Sequence, residues 1–412
     1  MAEVFRANAG EIAGMGNLME EIGKDAWLAA DFIHREGPPA EWVNAEIIDS
    51  LLDPLRSFSE KTRMRMLGIG TTNADSALSL RDAAWLYVDQ DNRTYEALNR
   101  QKVNLVVPGQ QVPVLADQEV AGATNAFEGA AAYPKPEKVQ LDPPAANKEE
   151  LIGLIGDVAP PLGAVNDTVK RLTKAAGKEF DPLGEALKPV PGNWTEIRRI
   201  GEAYKIAGQA LEACGKNLES GAKRVDAHWD GQAALAFSDW AARQVAAMKW
   251  EGPTGRIISE GLGAVSDEIR NAVRKVLTWL WEMLESQVTI DGVTDAFKFA
   301  FKKIPVVGWG AQVAELAIKI KDIIEKAVNL VGEIRKLVDA VQKFLDVLSD
   351  PAQFMRNQAN QKFEQLVEPF AKGVKAADIM NDARLAADLS QTTNRPGEAW
   401  DVGTGQQPWA NG

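Results

Sequence analysis

His228-Trp229-Asp230-Gly231-Gln232-Ala233-Ala234 is a Trp-x-Gly turn between two long helical patterns. Before it, apolar or small residues recur at Ile197, Ile200, Tyr204, Ala207, Leu211, Cys214, Leu218, Gly221 and Val225. That alternating three-and-four spacing is the seam of a coiled-coil-like hairpin. After the turn, Ala233, Ala234, Phe237, Trp240, Ala241 and Val245 carry an apolar stripe back along a second helix. Glycine, lacking Cβ, admits the tight reversal at positive φ, and tryptophan can close the open end of the seam with a large apolar surface.

A second feature lies upstream, in Ser79-Leu80-Arg81-Asp82-Ala83-Ala84-Trp85-Leu86-Tyr87-Val88-Asp89-Gln90-Asp91. It belongs to a helical pattern through Ala77, Leu80, Ala84, Tyr87, Thr94 and Leu98. Tyr87 and Asp91 stand four apart, on one helix face, so an aromatic and a carboxylate are expected to form a compact exposed recognition patch. On that reading, loss of the Tyr87 ring would leave the fold intact.

The rest of the chain reads as helices with two interruptions of character. A helix is expected over 10–35, stopped by Gly37-Pro38-Pro39. Helical spacing resumes from Val43 to Leu67, and Gly68-Ile69-Gly70-Thr71-Thr72-Asn73 is expected to turn it into the motif helix of 74–100. The first hairpin therefore spans 45–100, with an extra helix before it, inside a unit of 1–103. Residues 104–192 carry Pro108, Pro113, Pro134, Pro136, Pro143 and Pro144 among small residues, a linker with short helices near 148–155 and 162–177. The Trp-x-Gly hairpin occupies 193–290, with a break at Glu251-Gly252-Pro253-Thr254-Gly255.

Residues 291–389 form an amphipathic block. Its long helix, from about Ala311 to Leu348, is expected to turn Val313, Leu316, Ile320, Ile323, Ile324, Val331, Ile334, Val338, Val341, Phe344 and Leu348 inward; a further helix is expected over 352–389. Between 297 and 343, nine Lys or Arg stand against five Asp or Glu. Lys298, Lys302, Lys303 and Trp309 are the candidate membrane or partner surface. The simpler expectation is a third layer packed on the bundle, with lysines on its solvated face. Residues 390–412, rich in Gly, Pro and Gln with Trp400 and Trp409, lack periodicity and read as a disordered tail.

Composition narrows the chemistry. A net charge of −12 argues against nucleic-acid binding, which needs a basic footprint. The only cysteine, Cys214, forms no disulfide within the chain and sits on the seam as a small apolar residue. Two histidines, His34 and His228, have no metal-ligand spacing around them. No phosphate-binding glycine loop or nucleophile elbow is present, so no enzyme, cofactor or metal is expected. The first sixteen residues lack the basic and apolar regions of a cleavable signal, and no stretch reads as transmembrane.

Together, Tyr87-x-x-x-Asp91 and Trp229-x-Gly231 resemble the bipartite export signature of type VII (ESX) secretion substrates of actinobacteria. A single chain carrying both in this order is similar to the EspB-like family of fused PE–PPE secreted proteins. The likeness covers roughly 45–100 and 193–285; the segment 104–192 and the block 292–349 depart from it. The resemblance implies an all-α, elongated bundle in which a PE-like and a WXG/PPE-like hairpin lie side by side, bringing Tyr87, Asp91, Trp229 and Gly231 into one export patch. It further implies recognition by the secretion machinery, export without a cleavable signal, homo-oligomerisation and association with phospholipid. Alternatives are a membrane-active protein working through 292–349, the delivery portion of a polymorphic toxin, and an intracellular scaffold.

Overall fold

The computed structural model describes residues 6–39, 49–103, 127–145, 151–175, 179–190, 194–285, 309–349, 361–372, 375–387 and 399–401. Lys298, Lys302, Lys303 and Trp409 lie outside them; of Trp309, only its place at the head of a helix is described. The described residues form ten helices and no strand beyond one isolated bridge. The protein is all-α. The helices are α1 (Ala9–Glu36), α2 (Asp49–Val103), α3 (Leu151–Val158), α4 (Leu162–Ala175), α5 (Pro182–Leu187), α6 (Trp194–Asp226), α7 (Gln232–Glu285), α8 (Trp309–Ser349), α9 (Gln361–Val367) and α10 (Ala376–Ala386). With 55 residues, α2 is about 80 Å long at about 1.5 Å per residue, which makes the bundle elongated.

Four helices carry the core. α6 and α7 form the expected Trp-x-Gly hairpin, and α1 packs between α2 and α6. Every seam residue from Ile197 to Val225 is buried, as are Ala233, Ala234, Phe237, Trp240, Ala241 and Val245. The helix before the first hairpin is not an extra element. It is one arm of that hairpin, because α1 pairs directly with α2.

Two expected breaks are not breaks. Residues 68–73 are helical within α2, and 251–255 are helical within α7. At both places glycine permits close approach between helices, where a turn was expected. A Cβ on Gly70 would lie 2.4 Å from Trp27 Cδ1, and one on Gly23 would lie 2.9 Å from the Gly70 carbonyl. A Cβ on Gly208 would lie 2.4 Å from the Glu251 carbonyl, and one on Gly255 equally close to the Tyr204 carbonyl. Gly201, Gly208 and Gly215, seven apart, all face α7 and let the two backbones meet. Pro253 stays helical because packing on α6 outweighs the one ladder hydrogen bond it removes.

Between α2 and α7, Arg65 and Glu251 form a bidentate buried pair at 2.8 and 3.1 Å. The guanidinium lies between the rings of Phe58 and Trp250. Within the supposed linker, 127–145 is an extended strap across α1 and α6. Ala131 N donates to the Gly10 carbonyl at 2.8 Å, Asn217 bonds the backbone of Glu137 in both directions, and Lys138 reaches Asp25 at 2.9 Å. Arg224 fastens the same strap: it binds both oxygens of Glu11 at 2.9 Å and lies 4.2 Å over the Tyr133 ring. That guanidinium holds the Glu11 carboxyl below its ordinary range.

The stripe of α8 packs as a further layer. Ile320, Ile323, Val331, Ile334, Val338, Val341, Phe344 and Leu348 are buried, and α8 contacts α2, α5 and α7. The apolar stripe of α8 is therefore covered by protein. Where a helix was expected over 352–389, the described residues form two short ones, α9 and α10, with a turn after Val367. Arg256 clamps α10 to α7 through both oxygens of Asp382, and Trp250 Nε1 donates to the Ala386 carbonyl at 3.1 Å. Among the described residues no helix is long and apolar enough to cross a membrane.

Candidate functional site

The turn between α6 and α7 is built from both sides. His228 N closes on the Val225 carbonyl at 2.9 Å as α6 ends, and Gly231 takes φ +103°, open to glycine and strained for other residues. The segment before α1 pairs with the turn: Asn8 N donates to the His228 carbonyl at 3.0 Å, and Asp230 N to the Arg6 carbonyl at 2.8 Å. Ala7 and Trp229 thereby form an antiparallel bridge, and Asn8 next caps α1 by accepting from Glu11 N. The Trp-x-Gly turn is thus pinned by residues more than two hundred positions away in sequence.

Trp229 is directed inward and is almost fully buried. Its Nε1–H donates to the Tyr87 hydroxyl at 3.0 Å, and the two rings meet edge to face at 87°. Phe237 lies beside Trp229 with centroids 5.8 Å apart, and Trp240 stacks on Phe237. The two sequence motifs, 142 residues apart, therefore do meet at one end of the bundle.

The expected exposed patch is corrected in one respect. Tyr87 is only 5% exposed, so it is a packed residue at the end of the core and no free recognition aromatic. Burial pushes its hydroxyl pKa up, and the Trp229 hydrogen bond partly opposes that shift. The α2 stripe ends there: residues 91–97 are all exposed while the helix continues to Val103. Asp91 therefore stands in solvent one turn beyond Tyr87, on an arm that also exposes Leu86 and Tyr95. Tyr87 and Asp91 share a helix face but not an environment.

One contributor was invisible to periodicity. Trp400, expected in a disordered tail, is 4% exposed within this aromatic end. Its ring meets Trp229 at 5.6 Å and Phe237 at 5.5 Å, both edge to face. Its backbone N–H donates to Ser76 Oγ on α2 at 2.8 Å. The available signal was tryptophan in a polar segment, a residue whose large apolar area seeks cover.

Cys214 is buried, its Sγ 3.9 Å from the Ile22 carbonyl, and burial pushes its thiol up to about 12, which disfavours the thiolate. Among the described residues no three His, Cys, Asp or Glu side chains are grouped so as to hold a metal ion.

The fold and this end define an elongated helical-bundle protein with a composite aromatic tip. No protein-family profile matches the chain, and neither a curated protein nor a solved structure does.

Proposed function

We propose that this chain is a non-enzymatic substrate of an actinobacterial type VII secretion system, recognised at the end where α2, α6 and α7 meet. The observation that carries the reading is the hydrogen bond between Trp229 Nε1 and the Tyr87 hydroxyl. It joins the two halves of a bipartite motif that neither half specifies alone. In this reading the buried partners have a positioning role: they fix the turn and the emergence of the α2 arm. The surface offered to the machinery is that arm, with Asp91 as its exposed charge, beside the turn held at Gly231.

The test follows from the split between buried and exposed members. Asp91→Ala removes only a solvated carboxylate, so helical content and melting temperature should match wild type. Secretion into culture filtrate should fall sharply while the protein accumulates, folded, in the lysate. Equal secretion of wild type and Asp91→Ala would overturn the role given to the arm. Tyr87→Ala is a poorer probe, because loss of a packed ring also disturbs the core.

A further inference from the structure

We propose that the segment carrying Trp400 is a displaceable plug that closes the aromatic end formed by Trp229 and Phe237, and that this end is a docking site for an extended tryptophan-bearing peptide supplied by the chain itself. Three observations support it. The Trp400 ring is seated against both aromatic rings from outside the hairpin. Its backbone is bonded to Ser76 of α2, so the segment spans α2 and α7. The seat itself is made by helices that hold each other without Trp400, through the Trp229–Tyr87 bond and the α6–α7 seam.

The contact is also built to be released. Trp229 and Trp250, both core residues, have their indole N–H groups satisfied, by the Tyr87 hydroxyl and the Ala386 carbonyl. The Trp400 Nε1–H is buried with no acceptor among the described residues. A buried donor without a partner opposes docking, because that group was hydrogen-bonded to water when free. Apolar burial of one indole thus works against an unsatisfied donor. The closed state is favoured by a margin that a competing ligand can overcome.

What the plug covers are the rings of Trp229 and Phe237, so opening and closing controls access to the end that α2, α6 and α7 share. That this end is the export signal rests on the secretion reading; the plug itself does not.

The experiment uses the full chain and its Trp400→Ala variant, with a fluorescently labelled peptide of residues 395–406 as probe. Helical content is checked by circular dichroism, and hydrogen–deuterium exchange is followed over residues 226–238. The variant should keep wild-type helicity, exchange faster over that window, and bind the peptide. Wild type should bind it about tenfold more weakly or worse, because its own segment occupies the seat. The same peptide with alanine at 400 should not bind. Unchanged exchange in the variant, or equal binding to both chains, would overturn the plug. So would loss of helix in Trp400→Ala, which would make Trp400 an integral core residue. No step reads secretion, so failure here leaves the export reading standing, and failure of export leaves the plug standing.

Discussion

The Tyr87 hydroxyl and the Trp229 indole N–H are the smallest unit on which the rest depends. Each is buried and each is the other's partner, so the pair is asymmetric under mutation. Tyr87→Phe keeps the ring and its packing but leaves a buried donor without its acceptor, at a cost of about 1–3 kcal/mol. Denaturant unfolding should show that loss in the wild-type background and much less of it when Trp229 is already phenylalanine. A double-mutant cycle with no coupling would mean that the bond does not hold the tip together. Asp91 obeys different physics. It is solvated, so its replacement should alter recognition and leave stability alone.

At the scale of the helices, glycine has the deciding role, and its role reverses the sequence reading. The Gly-rich stretches 68–73 and 251–255 look like turns because glycine usually loses helix propensity. Here the loss is offset by contact between backbones that no other residue would permit. Gly208→Ala should therefore destabilise the protein even though alanine is the better helix former, because the new Cβ would meet the Glu251 carbonyl at 2.4 Å. Gly332 in α8 has open space around the same position, so Gly332→Ala should stabilise by about 0.5–1 kcal/mol. Thermal melts of the two variants should move in opposite directions; two upward shifts would show that α6 and α7 are not in backbone contact. The α6 seam, the α7 stripe and the inward face of α8 were legible because each repeats at helical spacing over many turns. The pairing of α1 with α2 was not, since it depends on which glycine faces which helix, and spacing within one helix does not say so.

For the molecule as a whole, the sequence showed that the fold is all-α and that two motifs belong together, but not how they join. Tyr87 reads as a surface residue when only its offset from Asp91 is considered. It is buried because Trp229, brought in by a turn 142 residues later, needs an acceptor at that place. The strap of 127–145 and Trp400 were illegible for a related reason. Both are extended segments whose order comes from partners on α1, α2, α6 and α7, and they carry no period of their own. The Arg65–Glu251 pair adds a fixed register between α2 and α7, since only one alignment lets both charges be satisfied inside the bundle. The result is a long body whose α2–α6–α7 end is organised by these contacts, and the proposed export signal is a property of the whole folded chain. The most direct measurement is the amount of intact protein in culture filtrate and lysate of an actinobacterial host, with its type VII ATPase active or disabled. The expected result is folded protein outside the cell only when the ATPase is active. Protein retained in the lysate in both hosts, or found outside in both, would contradict it.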